Sequence, residues 1–173
     1  MRIYLVGYMA SGKSGIGKEL AKLMGYPFID TDSVVQQRTG KSVSELFIEK
    51  GEAYFRKLEH DVLLDTAGMA NIVVATGGGL PCHFEQMEWM NQHGITVYLQ
   101  ASAAALFSRL RNSREDRPLL KDVSEAQLPE IIRQHLEQRE PYYLKANITV
   151  EALDLKARDL LAMIPTNDQS KNT

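Results

Sequence analysis

A chain of 173 residues, 44% hydrophobic and 24% charged with a net charge of −2, has the composition of an ordinary globular protein and the length for one domain with a sizeable core. The near-neutral balance leaves no electrostatic footprint for nucleic acid or a membrane surface, and no apolar run approaches bilayer-spanning length. One cysteine, Cys82, excludes an internal disulfide framework. With no signal-peptide pattern at the N-terminus, the expectation is a monomer in the cytoplasm that binds neither nucleic acid nor membrane.

Arg2–Val6 is a short, β-rich apolar run that reads as a buried strand. Gly7-Tyr8-Met9-Ala10-Ser11-Gly12-Lys13-Ser14 follows, filling every fixed position of the phosphate-binding pattern G-x-x-x-x-G-K-[ST]. Ile16, Leu20, Leu23 and Met24 then recur at helical spacing. Strand, glycine loop and helix is the arrangement in which backbone N–H groups and a helix N-terminus converge on an anion. In it Lys13 reaches the β- and γ-phosphates, and the Ser14 hydroxyl ligates magnesium.

Tyr26–Ile29 reads as a second strand ending at Asp30-Thr31-Asp32. Ligands of an open parallel α/β sheet sit beyond the carboxyl ends of its strands, so both aspartates belong to the edge that carries the phosphate loop. If strand geometry persists through Asp32, the two carboxylates face one crevice. One then serves the metal shell and the other accepts a proton from a substrate hydroxyl. Asp32 is also a candidate helix cap.

Residues 33–66 read as a helical insert: Gly40 ends its first piece, Ser42–Glu45 forms a capping box, Gly51 interrupts, and Glu52–Asp65 carries Phe55, Leu58, Val62 and Leu63 at helical spacing. Most of the charged residues on that last helix are expected on a solvated face. Ile72–Ala75 is a central parallel strand, and Gly77-Gly78-Gly79 behind it suggests backbone against substrate. The strand ends without an acid, which leaves Asp30 as the metal's carboxylate. Pro81–Met90 is expected to be a helix, Ile95–Leu99 a fourth strand, and Ala103–Arg111 a helix capped by Ser102. Residues 112–124, with Arg117, read as a basic lid that closes over the reaction, while Arg114 reads as ordinary charged surface. Ser124–Gln127 is a second capping box opening a helix to Tyr143, Asn147–Val150 a fifth strand, and Leu153–Ile164 a closing helix. The polar residues 165–173 form a tail.

Together the phosphate loop, Asp30-Thr31-Asp32, Phe55-Arg56-x-x-Glu59, the glycine triplet, Arg117-Pro118-Leu119-Leu120 and Arg139-x-x-Tyr142 resemble the shikimate kinase family over residues 1–164. The later motifs separate it from gluconate and nucleoside-monophosphate kinases, which share the core. The resemblance implies an α/β, three-layer P-loop kinase fold: a five-stranded parallel sheet with helices on both faces, a substrate-binding helical region at 33–61 and the lid. It implies transfer of the ATP γ-phosphoryl to the 3-hydroxyl of shikimate with Mg²⁺. It further implies that Ala10, Ser11, Gly12, Lys13, Ser14 and Gly15 hold the nucleotide, that Ser14 and Asp30 serve the metal, and that Asp32 activates the hydroxyl. Arg56, Gly78 and Arg139 hold shikimate, and Arg117 bridges nucleotide and reaction centre. Gly15 stands where many phosphate-loop kinases place Ser or Thr, and either Arg109 or Arg111 meets the adenine.

Overall fold

The computed structural model describes residues 1–112, 120 and 122–165. The lid expectation, with Arg114 and Arg117, falls largely outside them, as does the tail from residue 166. Five strands, β1 (Arg2–Val6), β2 (Phe28–Asp30), β3 (Ile72–Ala75), β4 (Ile95–Gln100) and β5 (Ile148–Glu151), form one sheet in the order β2-β3-β1-β4-β5. Every pairing is parallel.

Ile3, Tyr4, Leu5 and Val6 are all fully buried. Successive strand side chains point to opposite faces, so β1 is covered on both. On one face Tyr4 meets Trp89 of α5 (Gln86–His93) edge to face, and Tyr98 of β4 meets Tyr143 of α7 (Leu128–Tyr143). On the other, Leu5 packs under Gly17 of α1 (Lys13–Met24), which in turn lies against α8 (Ala157–Met163). This is the expected three-layer α/β architecture.

The helical insert consists of α2 (Thr31–Thr39), α3 (Val43–Lys50) and α4 (Glu52–Asp65). The Ser42–Glu45 capping box forms in both directions. Val35, Leu46, Phe55 and Val62 make a small hydrophobic cluster of their own, apart from the main core that the sheet organises.

Three expectations are corrected. The chain does not remain extended through Asp32: β2 ends at Asp30, whose side chain accepts from the Asp32 and Ser33 amides and caps α2. Asp30 is therefore the cap, and Asp32 lies in the first helical turn. Pro81–Met90 is not one helix. A 3₁₀ turn over Leu80–Cys82 is followed by left-handed Phe84 and Glu85, and α5 starts only at Gln86. The closing helix begins at Ala157 rather than Leu153, after left-handed Asp154 and extended Lys156.

Two glycines in α1 have opposite surroundings. A Cβ at Gly15 would meet nothing within 4 Å, whereas one at Gly17 would lie 2.7 Å from Phe28 Cε2 and 3.0 Å from Leu5 Cδ1. Gly15→Ala should raise stability by about 0.5 kcal/mol through reduced unfolded-state freedom. Gly17→Ala should cost about 1–3 kcal/mol through overpacking. Urea unfolding of both variants checks this, and equal effects would refute the packing argument.

Candidate active site

The site grows from the carboxyl ends of β1, β2 and β3, which stand side by side. Behind β1, Lys13 is 8% exposed, and its ammonium donates to the carbonyls of Gly7 and Tyr8, each at 2.8 Å. It is held at the centre of the phosphate loop. Ser14 Oγ donates to Asp30 Oδ2 at 2.6 Å, joining the loop to the end of β2. Asp30 thus uses one oxygen on Ser14 and the other to cap α2.

Behind β3, the glycine triplet is moulded against charged side chains of the insert. The Gly77 amide donates to Thr31 Oγ1 at 2.9 Å. A Cβ on Gly77 would fall 2.7 Å from Asp32 Oδ1 and clash with Glu59 Oε1; one on Gly79 would fall 2.6 Å from the Arg56 Cζ. The triplet is therefore needed because backbone passes closely over an acid pair and a guanidinium. Tyr143 of α7 fixes its middle, donating to the Gly78 carbonyl at 2.5 Å.

Arg56 and Glu59 are buried, contrary to the solvated face expected for the charged residues of α4; Lys57 and Asp61 are exposed as expected. Arg56 donates to Glu59 Oε2 at 2.6 Å and to Glu52 Oε1 at 3.1 and 3.2 Å. Asp32 Oδ1 and Glu59 Oε1 crowd the same point over Gly77, both buried and with no donor among the described residues. Burial pushes the Glu59 carboxyl up to about 8, against the pull of Arg56 and with the push of Asp32. Burial, then the Asp30 charge, also raises Asp32. A proton on Glu59 Oε1 gives Asp32 Oδ1 its missing donor and leaves Oε2 for Arg56.

The sign of that shift sets a stability profile. The folded-state value of Glu59 lies above its ordinary 4.5, so the stability it contributes is complete below 4.5 and is lost as pH rises from there through about 8. Wild type should lose more stability than Glu59→Gln between pH 6 and 8.5, because the amide does not titrate but still accepts from Arg56. Urea midpoints at the two pH values check it, and parallel losses would rule it out.

Arg139, on α7, completes the cavity with its guanidinium carbon 5.5 Å from the Tyr8 ring centre. Its Nη1 is buried without a hydrogen-bond partner among the described residues. One cavity of about 890 Å³ is lined by Ala10, Gly12, Lys13, Ser14, Gly15, Asp30, Asp32, Arg56, Glu59, Gly77, Gly78, Gly79 and Arg139. A second cleft of about 420 Å³ beside the loop is lined by Ser11, Ala10, Arg109, Ala152 and Asp154. Arg109 donates to the Ala10 carbonyl at 3.2 Å, whereas exposed Arg111 pairs with Glu125, so Arg109 is the arginine of that cleft.

The expected residues are thus brought together, apart from Arg117, which lies outside the described residues. Sequence reasoning left Glu59 without a role, although its position three residues after Arg56 is the spacing of a helical ion pair. Tyr8 gave no signal beyond its place in the loop.

A phosphate loop ending the central strand of this sheet, with an acid and arginine pocket across the cavity, defines a P-loop small-molecule kinase. The family model described as shikimate kinase matches residues 9–164. A shikimate kinase of Parabacteroides distasonis is 46% identical over 151 residues, 87% of each chain. The crystal structure of shikimate kinase from Bacteroides thetaiotaomicron superposes with a TM-score of 0.88 at 40% identity, covering 94% of this chain and 97% of that one. The shikimate kinase from Acinetobacter baumannii in complex with shikimate gives 0.85 at 34% identity, covering 94% and 89%. The chain belongs to the shikimate kinase family.

Proposed function

We propose that this chain transfers the γ-phosphoryl group of ATP to the 3-hydroxyl of shikimate, giving shikimate 3-phosphate and ADP for aromatic amino-acid synthesis, as a cytoplasmic monomer. The observation that carries the reading is the meeting of two recognition surfaces in one cavity. Lys13, Asp32, Arg56 and Arg139 all line it, and Asp32 feels the charges of both Lys13 and Arg56. Two guanidinium groups suit a carboxylate, which they can meet with paired in-plane N–H donors.

In this reading the loop from Ala10 to Gly15, with Lys13, binds the phosphates, and Arg109 flanks the adenine. Arg56, Arg139 and the Gly78 backbone hold shikimate by its carboxylate. Glu59 keeps the shared proton, so Asp32 stays anionic and accepts the proton of the 3-hydroxyl. The hydroxyl oxygen then bonds to the γ-phosphorus as the bond to the bridging oxygen of ADP breaks. Lys13 neutralises charge on the leaving phosphate, and Arg117 is assigned on sequence grounds to the transferred group.

Ser14 and Asp30 are a hard-oxygen pair 2.6 Å apart beside the loop. Among the described residues no cluster of three or more His, Cys, Asp or Glu could cage a metal. That fits Mg²⁺, which takes few protein ligands and otherwise phosphate oxygens and waters. When bound it would supply charge neutralisation on the phosphates.

ADP formation with and without shikimate, and with gluconate as a control, tests the reading. Turnover should require shikimate. Shikimate-independent hydrolysis, or equal turnover with gluconate, would reject it.

A further inference from the structure

Tyr8 sits in the phosphate loop, yet its buried side chain reaches α7. Its hydroxyl is 2.8 Å from His135 Nδ1, and its ring carries the Arg139 guanidinium at 5.5 Å. His135 and Arg139 are one helical turn apart, so α7 presents both to the same ring. The two pocket arginines are held very differently. Arg56 is clamped by two carboxylates, whereas no carboxylate pairs with Arg139 among the described residues.

We propose that Tyr8 is a positioning residue for Arg139: the ring face orients the guanidinium toward the substrate carboxylate, and His135 locks the ring. A guanidinium on an aromatic face keeps its in-plane N–H groups available for an anion. The Nη1 left without a partner is such a donor. An acid in the place of Tyr8 would hold Arg139 more tightly but would compete with the carboxylate it must bind. The Tyr8 carbonyl meanwhile accepts from Lys13, so one residue supports Lys13 with its backbone and Arg139 with its ring. The proposal rests on the reading of Arg139 as a carboxylate ligand.

Steady-state kinetics on Tyr8→Phe, Tyr8→Leu, His135→Ala, His135→Gln, Arg139→Ala and the Tyr8→Leu/Arg139→Ala double variant test it, with thermal unfolding as the fold control. Tyr8→Leu should raise KM for shikimate roughly tenfold with little change in KM for ATP. Tyr8→Phe, which keeps the ring, should raise it about threefold, and His135→Ala should match that variant. His135→Gln, whose side-chain amide can either accept from or donate to the phenol, should restore most of the loss. In the double variant, Tyr8→Leu should add nothing to Arg139→Ala. Additive losses, or equal increases in both KM values, would overturn the proposal while leaving Arg139 as a ligand. An unchanged KM for shikimate in Arg139→Ala itself would instead remove the carboxylate reading, and the proposal with it.

Discussion

Lys13→Ala should lower kcat by roughly 10³-fold or more, with the unfolding midpoint little changed. The ammonium is buried in the loop and held by two backbone carbonyls, which keeps a cation in the place where negative charge develops. Phosphoryl transfer leaves the protein little covalent work, and a positioned cation supplies much of what catalysis requires. Shikimate binding measured without nucleotide should be little affected, because on the proposed reading Arg56 and Arg139, not Lys13, hold the carboxylate. A kcat within tenfold of wild type would take Lys13 out of the mechanism.

Asp32→Asn should lower kcat by roughly 10²–10⁴-fold, a loss that saturating shikimate does not restore. An amide can hold a hydroxyl but cannot take its proton at neutral pH. The substitution also removes the negative neighbour that helps hold the Glu59 proton, so Glu59 should ionise at lower pH in this variant. Asp30→Asn should behave differently, because Asp30 bonds Ser14 and caps α2. It should raise the magnesium requirement and be partly rescued by excess Mg²⁺. Magnesium titrations of kcat separate the two aspartates, and rescue of Asp32→Asn in place of Asp30→Asn would reverse their roles.

The sheet was legible because its strands are short apolar runs with turn chemistry at their ends, and β1 and β3 match their expected bounds. The phosphate loop and the Ser42–Glu45 capping box were legible because each depends on residues close together in the chain; Ser124 and Gln127 instead bond each other in a turn, and α7 starts only at Leu128 with no side-chain cap. The start of α2 was not legible, since Asp30 and Asp32 are both competent caps and the contacts that hold Asp30 at the end of β2, its pairing with Ala75 and its bond from Ser14, lie far from it in the chain. Nor was the break at Phe84 and Glu85, where neither residue announces a left-handed backbone. The burial of Arg56 and Glu59 was hidden for another reason. Charged residues on a helix ordinarily face water, and here the surface they meet is the glycine loop of residues 77–79, distant in the chain. Arg56 entered through family resemblance rather than through spacing.

The small hydrophobic cluster of the insert bears on how this enzyme comes apart. Val62 and Leu63 are neighbours on α4, yet Val62 belongs to that cluster and Leu63 to the main core, so α4 is a party wall between two cores. Among the described residues four buried apolar side chains, with Val34, Val43, Phe47 and Leu58 partly buried around them, hold the far side, and a unit with so little buried surface opens at a lower free energy than the sheet. Amide exchange in α2 and α3 would then run through sub-global opening, while β1 exchanges only with global unfolding. On the proposed reading, the part of the chain that grips the acceptor substrate is also the part nearest its own melting. Affinity and local cooperativity become a single property, and ligand binding would be felt first as the slowing of that opening.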